Sequence, residues 1–159
     1  MVHWTYNNEE VTEMPDVYAF IYKLTYEDGS LYIGRKNMQS VKTIPALKNG
    51  EIRPGAERVT KIVRRNAEGK IITKKSEKKG IKGTKELYDR LLVGSDWLDY
   101  EGSHDKPKAK LVKKEIIDLA LTKIQATYKE LEHLVKNDVL FKAEYLNKQI
   151  NNMFYKHRI

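Results

Sequence analysis

Two aromatic and β-branched runs, residues 17–24 (VYAFIYKL) and 31–35 (LYIGR), stand on either side of Glu27-Asp28-Gly29-Ser30. Aromatic and β-branched side chains suit a pleated, packed surface. Asp-Gly tolerates the positive φ of a tight hairpin turn. The pattern therefore predicts a β-hairpin. The first run is apolar almost throughout, as in a strand covered on both faces. Any fold for this chain must be built around that hairpin.

The remaining segments are read against it. Residues 115–121 (EIIDLAL) predict a third core strand. Ile124, Tyr128, Leu131, Leu134 and Val135 recur at helical spacing and predict an amphipathic helix over 123–137. Tyr145, Leu146, Ile150, Met153 and Phe154 predict a last helix over about 142–156. Residues 37–57 lack periodicity and hold two Pro and two Gly, which reads as an irregular loop. Val59, Ile62 and Val63 are separated from Ile71 and Ile72 by an Asn66-Ala67-Glu68-Gly69 turn, which reads as a second hairpin with basic residues on its exposed face. Residues 84–93 predict a short helix with Thr84 as N-cap. The fold class expected is α/β or α+β: a small, mainly antiparallel three-stranded sheet flanked by helices, with an inserted basic β-hairpin. We expect one domain over 1–159, carrying the basic insertion at about 37–90.

The net charge of +8 is unevenly spread: −5 over residues 1–34, +11 over 35–90 and +2 over 91–159. The central excess points to a polyanion, because each Lys or Arg that neutralises a phosphate releases counterions. A solvated, Lys-rich surface accounts for the same charge. The chain has no cysteine, which excludes disulfide frameworks, Cys-based zinc sites, iron–sulfur clusters and a Cys nucleophile. Its apolar runs fall far short of the ~20 residues a membrane helix needs, and its N-terminus lacks a signal pattern. The expectation is a soluble, cytoplasmic protein without membrane attachment.

Phe20-Ile21-Tyr22 and Tyr32-Ile33-Gly34 face each other across the hairpin, and Arg35-Lys36 follow directly. This grouping resembles the GIY-YIG nuclease family, with Phe20 in place of the first glycine and the second motif intact. The stretch Ser95-Asp96-Trp97-Leu98-Asp99-Tyr100-Glu101-Gly102-Ser103 is similar to the SDW-x-x-Y-x-GS stretch of phage Seg-type members. Those members also carry Arg-Lys after Tyr-Ile-Gly. Asp138-Val139-Leu140 and Tyr145-Leu146-Asn147 continue the likeness, which covers about 17–36 and 94–150 and leaves 37–90 unmatched.

The resemblance implies a divalent-metal-dependent DNA endonuclease of phage or mobile-element type, homing-endonuclease-like, working in the cytoplasm of an infected bacterial cell. It implies Mg²⁺ or Mn²⁺ held by one glutamate, Glu130, with Glu132 as competitor on another face of the same helix. Tyr22 and Tyr32 match the motif tyrosines, one of which helps activate water. Arg35 matches the basic position after the second motif. Many members carry an arginine eight residues beyond the motif, where Lys42 stands here; Arg35, Lys36 or the basic segment would take that role. Ser103 and His104 are placed near phosphate or the water network, and Arg64, Arg65, Lys74 and Lys75 on DNA. A homodimer or loose specificity would suit so small a domain. The chemistry needs a water, a base and positive charge where negative charge develops. A phenol with a reference pKa near ~10 needs cations nearby to serve as that base, and Arg35 and Lys36 are expected to supply them.

Read without the resemblance, Tyr22 and Tyr32 are cross-strand core aromatics, Glu130 is a solvated helix carboxylate, Trp97 and Tyr100 are core anchors, and His104 and His133 are surface histidines. Two other functions remain open on the sequence: a non-catalytic nucleic-acid-binding protein on the same fold, and a protein whose cationic segment meets an acidic partner.

Overall fold

The computed structural model describes residues 1–156. In chain order it contains β1 (Trp4–Tyr6), β2 (Glu9–Glu10), β3 (Ala19–Tyr26), β4 (Leu31–Asn37), β5 (Gln39–Pro45), β6 (Ala56–Val63), β7 (Thr84–Gly94), β8 (Leu111–Ala120), α1 (Lys123–Lys136), β9 (Gln149–Ile150) and β10 (Phe154–Tyr155). The protein is mainly β, with 40% strand against 12% helix arranged in three sheets. This overturns the expected three-stranded sheet flanked by helices. Residues 1–39 and 94–159 form one compact unit, and residues 40–93 form a second. Among the described residues, no helix is long and apolar enough to cross a membrane.

The first unit is organised by a sheet of order β2-β1-β8-β3-β4. Strand β3 pairs antiparallel with β4 on one side and β8 on the other. Strand β1 joins β8 in parallel, with Trp4 opposite Lys114. The hairpin turn is the one read from Asp28-Gly29: Gly29 has φ +83° and its N–H donates to Tyr26 O at 2.9 Å. Side chains alternate along β3. Phe20, Tyr22, Leu24 and Tyr26 pack with Trp4, Trp97 and Ile116, while Ile21 packs with Ile33, Leu134, Val139, Leu140, Tyr145 and Ile150. Both faces are covered, which is why the run reads as continuously apolar.

The single α-helix among the described residues covers only the Ile21 side. The other side is filled by the Trp4 side chain and the corner around Trp97, whose carbonyl accepts from Trp4 Nε1 at 2.7 Å. Thr122 caps α1 by accepting from the Gln125 N–H at 3.2 Å. The helix stands where predicted, but its buried residues are Ala126 and Leu134; Ile124, Tyr128 and Val135 are exposed.

The expected helix over 142–156 is instead the β9–β10 hairpin. Asn151 and Asn152 have φ +49° and +54°, the left-handed pair of a hairpin turn. Asn7 and Asn8 repeat this between β1 and β2, with φ +52° and +68°.

The second unit is a sheet of order β5-β7-β6. The expected helix over 84–93 is its central strand, β7. Helical spacing there would hide Leu87, which is 52% exposed; the buried pair is Tyr88 and Asp89, adjacent in sequence. Strand β6 pairs with β7 over eight positions, from Ala56↔Leu91 to Val63↔Thr84. The second hairpin therefore shrinks to a turn closed by one bridge, Arg65↔Ile71, although Asn66 and Gly69 do form the turn. The supposed loop at 37–57 contains β5.

The apolar core of this unit is small: Val63, Ile72 and Tyr88. Its centre is Asp89, fully buried, which accepts from Arg58 Nε at 2.7 Å and Arg53 Nη1 at 2.9 Å. Burial pushes this carboxyl up, but the two arginines outweigh it and hold it below its ordinary range.

Candidate active site

Tyr22 lies opposite Gly34 and Leu24 opposite Tyr32, so both motif tyrosines stand on the aromatic face of the sheet. The Tyr22 ring lies 6.1 Å from Tyr32 and 5.8 Å, edge-on, from Tyr100. A Cβ at position 34 would fall 2.5 Å from the Tyr22 hydroxyl and 2.8 Å from Cε1 of Tyr32. Glycine is thus required at the end of the second motif so that the two phenols can cross the strand. Phe20, where the first motif's glycine would stand, fills the core between Trp4 and Trp97, at 5.1 and 6.2 Å.

Arg35 is opposite Ile21 and so faces α1. Its Nη1 donates to Thr127 Oγ1 at 2.9 Å and lies 3.5 Å from Glu130 Oε2. Lys36, next along the strand, emerges on the tyrosine side. It lies 3.9 Å above the Tyr100 ring and pairs with Asp96 at 2.5 Å. The two basic residues are therefore divided between the faces of β4. That strand ends the sheet, and Leu31–Ile33 of its free edge are capped by the chain at 144–147. The Asn147 side chain accepts from Ile33 N–H at 3.1 Å and donates to Ile33 O at 2.8 Å. The Glu130 charge still acts on both phenols.

The electrostatics depart from the expectation that cations lower a phenol. Burial, followed by the neighbouring phenols of Tyr100 and Tyr32, pushes Tyr22 far up. Burial, then Tyr100 and Glu130, pushes Tyr32 to about 12. Both hydroxyls stay protonated at neutral pH and are hydrogen-bond donors. Glu130 is also pushed up by burial, partly offset by Arg35. Its side chain is 25% exposed, whereas Glu132 is exposed.

A half-buried carboxylate with a disfavoured charge suits a cation ligand. Mg²⁺ is commonly held by one or two carboxylates plus water, and Glu130 fits that pattern as a lone protein ligand. Among the described residues no group of three or more His, Asp or Glu gathers for a metal cage.

The Ser95–Ser103 stretch builds the wall beside the tyrosines. Trp97 is buried and Tyr100 is packed on Tyr22. The Leu98 carbonyl accepts at 2.7 Å from Lys114, a buried lysine lying 4.6 Å from the Trp4 ring. Gly102 has φ +87°, and a Cβ there would meet the His104 ring at 2.7 Å. His104 is half-buried rather than a surface histidine. Its ring stacks on Tyr32 at 3.8 Å and 13°, and its Nε2 lies 2.9 Å from the Tyr26 hydroxyl. Ser103, His104 and Tyr32 line a cavity of about 280 Å³ with Asp105, Asn147 and Lys148. His133 too is half-buried, 3.2 Å from Asp118. Sequence reasoning missed Tyr26 and Asn147 as supports; the Tyr-x-Asn segment was the available signal for Asn147.

The residues assigned to DNA in the basic segment lie in the second unit. Arg65 holds Glu86 through two bonds of 2.9 Å and donates to Gly69 O at 2.8 Å. Arg64 donates to Ile81 O at 3.0 Å. Lys74 and Lys75 are exposed, and Lys74 lies 3.9 Å from Glu77. Lys42 is exposed on β5.

A family model described as "Putative endonuclease segE, GIY-YIG domain" matches residues 4–150. The matched span includes the basic segment that the motif comparison left unmatched. No curated protein and no solved structure matches the chain. The tyrosines crossing Gly34, the Arg35–Glu130 pair and the Trp97 corner all lie within the matched span, and the chain belongs to the SegE-type GIY-YIG endonuclease domain family.

Proposed function

We propose that this nuclease-family protein is a divalent-metal-dependent DNA endonuclease of phage or mobile-element type, acting in a bacterial cytoplasm. The observation that carries the reading is Glu130. It is half-buried, pushed up by burial, paired only loosely with Arg35, and acts on the same two phenols that cross Gly34. Mg²⁺ or Mn²⁺, bound at Glu130 with water, would supply Lewis-acid charge and a water of lowered pKa.

The chain's own residues do the rest. Tyr32, protonated, donates a hydrogen bond and orients the attacking water or a phosphate oxygen, while Tyr22, buried in the core, packs against the Tyr32 ring and positions it. The Glu130 charge is one cause of the raised Tyr32 pKa, so neutralising it brings that phenol closer to serving as a base. Arg35, released from Glu130, reaches the phosphate and opposes the charge that develops there. Lys36 holds the Tyr100 wall against Tyr22. Ser103 and His104, at the cavity beside Tyr32, seat the neighbouring part of the strand.

The test is nicking of supercoiled plasmid with Mg²⁺ or Mn²⁺. Wild-type protein should cut, while Glu130→Ala and Tyr32→Phe should not. DNA left intact by wild type, with binding retained, would instead support a non-catalytic binding protein on this fold. The deep burial of Tyr22, which keeps one motif phenol away from solvent, is the observation that favours that second reading.

A further inference from the structure

The second unit separates its arginines from its lysines. Four of its arginines are engaged internally. Arg53 and Arg58 meet at Asp89, Arg65 holds Glu86, and Arg64 donates to the Ile81 carbonyl. Arg64 also accepts through its own carbonyl from Ile72 N–H at 2.8 Å. One residue thus clasps both ends of the loop 72–81. Within that loop, Lys75–Lys78 form a 3-10 turn, and Ile81 N–H donates to Lys78 O at 3.2 Å. The loop is held in shape by its backbone and by Arg64, which leaves its lysines unused.

Residues 70–85 contain seven lysines, at 70, 74, 75, 78, 79, 82 and 85, against a single acid, Glu77. All but Lys78 are exposed. The ion pair made by this group is Lys74 to Glu77, at a long 3.9 Å with both side chains well exposed. A cluster of like charges with one weak counter-charge is the electrostatic footprint that attracts a polyanion.

The composition also identifies how such a partner is read. Adenine edges are read by Asn and Gln and guanine edges by Arg or Lys, and bases are stacked by aromatics. Residues 70–85 contain no Asn, Gln, Arg or aromatic residue. Lysine is a hydrated point charge on a flexible stem, a less exacting reader than the planar fork of arginine and well suited to phosphate.

We infer that the Arg64-clasped lysine loop, residues 70–85, is a nucleic-acid backbone grip that binds duplex phosphates without reading sequence, and that Arg64 and Arg65 are positioning residues rather than phosphate contacts. This rests on the nuclease reading only in taking DNA as the polyanion.

The experiment is binding to two labelled duplexes of unrelated sequence, measured by anisotropy with EDTA present so that no cleavage is needed. Wild type should bind both within about threefold and lose ~100-fold or more in affinity between 50 and 200 mM salt. Lys74→Gln, Lys75→Gln, Lys78→Gln and Lys79→Gln combined should reduce the log–log salt slope by about 3 to 4, at ~0.9 per lost phosphate contact. Arg65→Gln should lower the melting temperature and leave the slope unchanged. The inference is overturned if the lysine variant keeps the wild-type slope, if Arg65→Gln removes as much slope, or if wild type separates the two duplexes by more than tenfold. Because divalent metal is absent, these results are independent of whether Glu130 supports cleavage.

Discussion

The two units are held together by different physics. The first is an aromatic jigsaw in which Trp4, Phe20, Tyr22, Tyr26 and Trp97 interlock around one strand. The second has three buried apolar side chains and a buried carboxylate tied to two arginines. Apolar packing is short-ranged and shape-specific, so it fixes positions to fractions of an ångström. Ion pairing depends on pH and salt and tolerates looser shape. The unit carrying the candidate catalytic residues has the first kind of core, and the unit carrying excess charge has the second. Placing two phenols over a glycine requires close packing, while displaying lysines requires only a stable frame.

The sharpest way to test that division is to remove function from the first unit without touching its packing. Glu130→Gln is expected to reduce cleavage by ~1,000-fold or more. It should leave the melting temperature level or slightly higher, since burial disfavours this charge. Plasmid nicking and calorimetry check both, and a large loss of stability would show that Glu130 is structural.

Next in size is Gly34→Ala. The added Cβ falls 2.5 Å from the Tyr22 hydroxyl. Overpacking of this kind costs about 1–3 kcal/mol, and misplacing reactive groups by ~1 Å costs ~100-fold in rate. Full activity in this variant would break the claim that the first unit needs a tight fit.

Asp89→Asn is the counterpart in the second unit. It leaves Arg53 and Arg58 without their anion and should lower the melting of β5–β7 by on the order of 10 °C. Hydrogen exchange should rise in residues 40–93 and stay unchanged in the β3–β4 hairpin.

Acid should act in the same direction more gently. The folded Asp89 pKa lies below its unfolded value. Its stabilisation is therefore complete above the unfolded value near ~4 and is lost as pH falls through the folded one. Amide exchange between pH 5 and 2.5 should show the second unit opening first.

The smallest effect is a spectroscopic one. Glu130 contributes to raising Tyr32 to about 12, so Glu130→Gln should lower the Tyr32 titration midpoint. Ultraviolet titration against Tyr32→Phe reads it.

The tyrosine hairpin and α1 were legible because local signals decide them: Asp28-Gly29 sets a turn, and Thr122 sets a cap. The strand β7 was not. Its sequence, TKELYDRLLV, has helical spacing, and only Arg53 and Arg58, more than thirty residues upstream, show that Asp89 belongs in an interior. The terminal hairpins were missed although Asn7-Asn8 and Asn151-Asn152 marked both turns, because the apolar spacing of Tyr145, Ile150 and Phe154 fits a helix as well. In the site, Tyr22, Tyr32 and Gly34 followed from hairpin register. The separation of Arg35 from Lys36 follows from strand alternation once β4 is known to extend to Asn37. The raised phenols did not follow, because the loop that buries them lies over sixty residues away in sequence.

Trp4 has a consequence for the timing of synthesis. It bonds a carbonyl 93 residues later, and its strand pairs with residues 114–116. At ~5–20 residues per second on a ribosome, the tyrosine hairpin emerges several seconds or more before the segments that cover it. Residues 40–93 are contiguous and complete their own sheet in the meantime. The nascent chain can thus display its lysines while its tyrosines still lack their wall.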